Sequence, residues 1–321
     1  MRLGIDQLKT ITTGAYDIVN EDGAFRFLRM KESQSQEFDK EGERFYAKSK
    51  ATASVKLDFY TDSKWIKIGY NTTKASSSTR TFYSFDVLED GELSHSHFGN
   101  FPGINDNVEF EAKLCGNKRV SVYFPNTYMF KINFVELEDG AFIKPAEFDI
   151  KMMMFGDSIT HGYDAVFSSG TYANIVARKL NANMRNIGLA AGKFNPAIVE
   201  AHEGFDPDIV TVAYGTNDWS GRDPNFKTKC TEFLNKLAIC FKNAKVYVIL
   251  PIWRGHLDEN DNMKSFMEYR KFIADTAEKN GFVALESIDY VPHDATMYTD
   301  LLHPNDAGFK HFANNLLKDI K

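Results

Sequence analysis

Phe148-Asp149-Ile150-Lys151-Met152-Met153-Met154-Phe155-Gly156-Asp157-Ser158-Ile159-Thr160-His161-Gly162 is the stretch that decides how this 321-residue chain folds. Its first half, Phe148 to Phe155, reads as an apolar strand of the kind buried on both faces of a parallel sheet. Its second half places a serine between glycines where that strand turns toward a helix. Backbone N–H groups are left free at such a turn and can stabilise an anion. The glycines on either side are expected to leave the Ser158 hydroxyl accessible. A plain N-cap serine would satisfy the same local pattern.

C-terminal to this stretch, strands and helices alternate. Helices are expected over Thr171–Leu180, Phe226–Phe241 and Met263–Lys279, with Asn280-Gly281 stopping the last of these. Strands are expected over Met184–Ile187, Asp208–Ala213, Lys245–Leu250 and Phe282–Leu285. Pro304 is expected to open a final helix running through Leu317. Repeated β-α units imply an α/β domain, a parallel sheet covered by helices, with ligands beyond the carboxyl ends of its strands.

N-terminal to the stretch the period is two. Val55, Leu57 and Phe59 alternate with polar partners, as do Ile66, Ile68 and Tyr70, then Val120, Val122 and Phe124, then Phe130, Ile132 and Phe134. Asp22-Gly23, Asp90-Gly91 and Asp139-Gly140 carry hairpin chemistry. No helix is expected there, and the pattern suggests an antiparallel β-sandwich of the jelly-roll kind. The division is therefore a sandwich domain over 1–147 and a catalytic domain over 148–321, meeting near Pro145.

Composition narrows the function. The chain has 38 Lys+Arg against 44 Asp+Glu, and neither half is basic, which argues against a nucleic-acid partner. The longest uncharged apolar run, Val246–Trp253, is far short of the ~20 residues that span a bilayer. An acidic residue, Asp6, stands where a secretory signal would carry its apolar core, so a cytoplasmic location is expected. Cys115, Cys230 and Cys240 form no CxxC pair and read as inert thiols.

A serine hydroxyl becomes a nucleophile only when a base takes its proton. Among 8 histidines, His303 alone stands in a strand-edge loop with an orienting carboxylate, Asp300-Leu301-Leu302-His303-Pro304. The spacing lets one turn present both groups together. Donors for an oxyanion come from two other strand-edge loops, the Gly192 N–H and the Asn217 amide of Gly215-Thr216-Asn217-Asp218. Four loops thus place a nucleophile, two donors and an oriented base on one edge of one sheet.

Those four blocks, in that order, resemble the sequence blocks of the SGNH/GDSL hydrolases over residues 150–321. The resemblance implies a flavodoxin-like three-layer α/β/α catalytic domain and ester cleavage without a metal or organic cofactor. It also implies roles: Ser158 as nucleophile and N–H donor, Gly192 and Asn217 as further oxyanion donors, His303 as base and Asp300 as its orienter. Ser158-Ile159-Thr160 departs from the Ser-Leu-Ser of many lipase-like members. The sandwich ahead of the catalytic half is similar in arrangement to acetyl esterases of carbohydrate esterase family two. In some of those a backbone carbonyl orients the histidine, which leaves the role of Asp300 open. The absence of G-x-S-x-G argues against the α/β-hydrolase triad.

The expected function is a serine esterase removing short acyl groups, acetyl foremost, from a sugar or oligosaccharide. The alternatives are a broader carboxylesterase or lysophospholipase, and a carbohydrate-binding protein with a degenerate hydrolase domain. Trp219 and Trp253 follow the third and fourth strands and are candidate walls of a sugar or acyl site. Tyr163 and Asp164, just past the nucleophile, are candidate supporting or substrate-binding residues. Arg254 and Arg222 are candidates to meet an acidic group. His95 and His97 read as a solvated pair with no third metal ligand in view.

Overall fold

The computed structural model of the protein describes residues 1–75, 80, 82–100 and 105–320. The chain divides into two compact units, Met1–Asp149 with Val166–Ser169, and Ile150–Ala165 with Gly170–Lys321. Among the described residues, no helix is long and apolar enough to cross a membrane.

The first unit is built from β1 (Thr12–Thr13), β2 (Asp17–Glu21), β3 (Ala24–Leu28), β4 (Lys56–Thr61), β5 (Trp65–Ala75), β6 (Phe82–Glu89), β7 (Glu92–Asn100), β8 (Asn105–Lys113), β9 (Lys118–Tyr123), β10 (Tyr128–Leu137) and β11 (Lys144–Pro145). They form two antiparallel sheets, one in the order β1-β4-β9-β6-β7 with β11 beside β4, the other β2-β3-β10-β5-β8. The alternating residues read from the sequence supply the core shared by both sheets. Leu57, Phe59, Ile66, Ile68, Tyr70, Val120 and Val122 are all fully buried. Asp22-Gly23 and Asp90-Gly91 close two-residue hairpins, each residue with positive φ, as that turn requires. Asp139-Gly140 is no hairpin, because β10 pairs with β3 and β5 whereas the following β11 pairs with β4 in the other sheet.

Helices are present where none was expected: α1 (Ile5–Ile11), α2 (Glu32–Asp39) and α3 (Glu43–Ser49). Each spans only about two turns, and α2 and α3 send few apolar side chains inward, chiefly Phe38 and Phe45. No helical stripe is therefore visible in their sequence. His95 and His97 are not a solvated pair either. Both stack on Phe110, and His97 Nε2 lies 2.8 Å from the hydroxyl of fully buried Tyr70, which meets the Tyr83 hydroxyl at 3.0 Å.

The second unit carries the parallel strands β12 (Ile150–Gly156), β13 (Ala182–Asn186), β14 (Ile209–Ala213), β15 (Lys245–Ile249) and β16 (Val283–Leu285). Their order, β13-β12-β14-β15-β16, is the 2-1-3-4-5 sequence of doubly wound flavodoxin-like sheets. The helices are α4 (Ser158–His161), α5 (Tyr172–Lys179), α6 (Thr216–Ser220), α7 (Phe226–Cys240), α8 (Asn262–Lys279) and α9 (Asp306–Asp319). Met152 and Met154 of β12 pack into a cluster with Tyr172 and Val176 of α5 and Phe309, Phe312 and Leu316 of α9. Phe155, on the opposite pleat, meets Phe233 of α7 and Phe241. Burial on both faces is why this strand is apolar at consecutive positions.

Pro304 does not open α9. The Asn305 side chain caps it, accepting from the Ala307 and Gly308 N–H groups, while Pro304 forms a β-bridge with Tyr298. An Asx cap supplies the acceptor that proline lacks.

Candidate active site

Ser158 is the first residue of α4, directly beyond the carboxyl end of β12. The N-cap is Asp157, whose carboxylate accepts from the Ile159 N–H at 2.9 Å. Cap duty therefore falls to the aspartate and leaves the serine hydroxyl for another partner. Two glycines shape this turn. A Cβ on Gly156 would stand 2.0 Å from Thr160 Oγ1 and 3.0 Å from the Ala213 carbonyl, and Gly162 ends α4 at φ 96°. They serve close packing and a left-handed cap. The hydroxyl is not openly accessible as expected, because Ser158 is 5% exposed.

The candidate base, His303, lies in the loop before α9. His303 Nε2 lies 2.8 Å from Ser158 Oγ. His303 Nδ1 lies 2.8 Å from Asp300 Oδ2 and 3.1 Å from Oδ1, so a carboxylate and not a backbone carbonyl faces this nitrogen. Asp300 Oδ1 also accepts from the backbone N–H groups of Leu302 and His303. Burial raises the Asp300 pKa, but these hydrogen bonds outweigh it and hold the carboxyl well below the ordinary range. A second carboxylate, Asp164, reaches to 3.6 Å from His303 Nδ1. Asp164, Asp300 and His303 bring one ligand atom each within 4.8 Å of one another, but the 2.8 Å contact has the length of a charge-assisted N–H···O bond.

The donor loops come together as well. Asn217, in α6, donates its amide to the Gly192 carbonyl at 3.0 Å. The Gly192 N–H donates to the Leu189 carbonyl at 2.8 Å, closing a tight turn. Leu189 N–H in turn bonds the Gly156 carbonyl, and the Asn186 amide donates to the Thr160 carbonyl at 2.7 Å. These bonds tie the loops after β12, β13 and β14 into one platform. Asn186 and His161, whose Nδ1 accepts from the Ala190 N–H at 3.2 Å, were not singled out from the sequence. Nothing in the local pattern marks a residue whose partner lies on another loop.

The remaining candidates occupy distinct places. Tyr163 and Asp164 are buried, and the Tyr163 ring stands 6.1 Å from that of His303. Trp219 donates its indole N–H to Ser265 at 2.9 Å and packs edge-on against Phe266. Trp253 stacks on His293 and leans on Tyr298. Both indoles are half-buried. Arg254 is half-buried, donates to Thr216 Oγ1 at 3.0 Å and lies over the Trp219 ring. Its charge is felt by both Asp157 and Asp300. Arg222 is exposed. Two buried acids of this unit have raised pKa values. Burial pushes Asp157 up to about 6, against the pull of the Ile159 N–H, His303 and Arg254, and pushes Asp218 up to about 7.

Residues 154–311 match the model of the GDSL-like Lipase/Acylhydrolase family. The chain carries a domain of that family, and it is a carboxylic ester hydrolase. No curated protein matches the chain by sequence. Many solved structures are similar to it, these three among them. The salicylyl-acyltransferase SsfX3 from a tetracycline biosynthetic pathway is 20% identical, with 96% of this chain and 92% of that one covered at a TM-score of 0.82. A putative GDSL-like lipase from Bacteroides ovatus is 18% identical, covering 100% and 96% at 0.72. A family two carbohydrate esterase from Clostridium thermocellum, in complex with cellohexaose, is 18% identical, covering 84% and 91% at 0.61. At these identities the likeness is one of fold.

Proposed function

We propose that the protein hydrolyses short acyl esters, acetyl foremost, on a sugar or oligosaccharide, with Ser158 as nucleophile, His303 as base and Asp300 as its orienter. The observation carrying this reading is the continuous hydrogen-bonded chain from Ser158 Oγ through the His303 ring to Asp300. As Ser158 Oγ attacks the ester carbonyl, His303 Nε2 takes its proton. The imidazolium then gives that proton to the departing alkoxide. The Nδ1 proton stays on the ring, held by the carboxylate. Water, deprotonated by the same histidine, attacks the acyl-serine and releases the acid.

The oxyanion is stabilised by the Ser158 N–H at the start of α4, the Gly192 N–H and the Asn217 amide. With the site at rest the Asn217 amide spends one N–H on the Gly192 carbonyl and has a second to offer, whereas the Gly192 N–H is held by the Leu189 carbonyl and serves the oxyanion only once that turn releases it. Half-buried Trp219 and Trp253 are the proposed walls for the sugar or acyl group.

Sugar esters are supported by the fold shared with the family two carbohydrate esterase. A jelly-roll reading of the N-terminal sheets is supported by the orders β3-β10-β5-β8 and β4-β9-β6-β7 within them. A reducing compartment is supported by three free cysteines, one of them, Cys115, exposed.

The test is acetate release from a panel of acetylated sugars, run beside aryl esters from acetyl to octanoyl. Sugar deacetylation with aryl-ester rates falling along the series supports the proposal; rates rising toward octanoyl favour a broad carboxylesterase or lysophospholipase. Sugar binding with no Ser158 labelling by a fluorophosphonate indicates a degenerate site. The whole-chain likeness to an acyltransferase motivates a second reading, transfer of the acyl group to an alcohol. A new ester formed on adding a hydroxyl acceptor would establish it.

A further inference from the structure

We propose that Asp164 is a second positioning carboxylate for His303, able to accept the Nδ1–H hydrogen bond in place of Asp300. This inference rests on the esterase reading above. His303 Nδ1 has one proton to donate, and two acids converge on it. Asp300 approaches to 2.8 Å and Asp164 to 3.6 Å, from opposite ends of the catalytic sequence.

The two acids differ in what surrounds them. The Asp300 side chain is 42% exposed, so water competes for its oxygens; that of Asp164 is only 4% exposed. A buried carboxylate beside an imidazolium is screened less and interacts more strongly at a given distance. Backbone geometry aims it. Gly162 at φ 96° and Asp164 at φ 69° both adopt left-handed conformations within three residues of the end of α4. For a residue other than glycine that conformation is disfavoured, least so for Asp and Asn. The turn it makes brings the carboxylate back to the base.

Asp157 also senses the charge of His303, Tyr163 lies beside its ring, and Arg254 acts on Asp157 and Asp300. Ser158 occupies Nε2. When that nitrogen takes the serine proton the ring becomes cationic, with Nδ1–H intact. Two carboxylates then share the stabilisation of one charge, and no proton passes to either.

The experiment measures kcat/KM against pH on an aryl acetate for the wild type and for Asp164→Asn, Asp300→Asn, the double variant and Ser158→Ala. Asparagine keeps the shape and tolerates left-handed backbone, and melting temperatures confirm that each variant is folded. Asp164→Asn is expected to lower the rate about 3- to 10-fold and to move the acidic limb about half a pH unit or more downward, because a negative charge near the base is gone. Asp300→Asn is expected to retain activity within about 100-fold of wild type, whereas the double variant falls well beyond the product of the two single effects. In proton NMR the downfield Nδ1–H signal is expected to persist in Asp300→Asn and vanish in the double variant.

The proposal is overturned if Asp300→Asn is as inactive as Ser158→Ala, if the double variant equals that product, or if Asp164→Asn leaves the acidic limb in place. Full activity of Ser158→Ala would instead remove the esterase reading, while the Nδ1–H signal would still report on the two carboxylates.

Discussion

His303 Nε2 and Ser158 Oγ stand 2.8 Å apart although 145 residues of chain separate them. If they are the proposed base and nucleophile they act as a unit, and their removal is not additive. Ser158→Ala and His303→Ala are each expected to lower kcat on p-nitrophenyl acetate by about 10⁴-fold or more, and the double variant by no more than either alone. Steady-state kinetics on the three variants checks this; additive losses would break the pairing.

Asn217→Ala removes the proposed amide donor without touching His303. Its kcat should fall about 10²- to 10³-fold, the range seen when one oxyanion donor is lost, with KM little changed. A rise in KM at constant kcat would instead place Asn217 in ground-state binding.

Asp218 follows it in α6 and is fully buried, with Oδ1 accepting the Phe194 N–H at 3.3 Å and no hydrogen-bond partner for Oδ2 among the described residues. Burial lifts its pKa from 3.8 to about 7; the Phe194 N–H and Lys193 pull it down, and Asp223 adds to the rise. The folded protein therefore keeps a proton that the unfolded chain has lost between those values. Stability attributable to this group falls as pH rises through that window, by up to ~1.4 kcal/mol per pH unit. Asp218→Asn should show no advantage near pH 4 and a growing one up to pH 8. Thermal melts of both proteins across that range decide it; a difference that does not change with pH contradicts the burial argument.

Gly156→Ala should be poorly tolerated. The added methyl meets Thr160 Oγ1 at 2.0 Å and the Ala213 carbonyl at 3.0 Å, and the carbonyl belongs to the neighbouring strand. A loss of roughly 1–3 kcal/mol is expected, seen as a lowered denaturant midpoint with the slope unchanged.

The catalytic half was legible because its signals are local. Consecutive apolar residues mark strands buried on both faces, and Ser158, Asn217 and the Asp300–His303 turn each sit just past such a strand or in the loop before α9. What escaped depends on partners distant in sequence. His97 looks like a solvent-facing histidine until Tyr70 approaches from another sheet. The turn that engages the Gly192 N–H with Leu189 follows from Ala191 at φ 65°, a conformation the sequence does not announce. Helices α2 and α3 escaped because their polar surfaces leave no stripe to read. The reach of Asp164 to His303 depends on a left-handed aspartate, which composition and period do not reveal.

Soon after Asp164 the chain leaves its own unit. Residues Val166–Ser169 belong with the N-terminal sheets, where the Ser168 N–H donates to Ser84 Oγ and the Ser169 N–H to Asp86, before the chain returns at Gly170. The polypeptide therefore crosses between units three times, at 149/150, 165/166 and 169/170. A single cut near residue 150 cannot yield two self-contained pieces. Expressing 150–321 alone would carry off four residues, two of which, Ser168 and Ser169, leave their hydrogen-bond partners behind, close in sequence to Asp164. Excising the C-terminal unit therefore means dealing with Val166–Ser169 as well as with the first crossing.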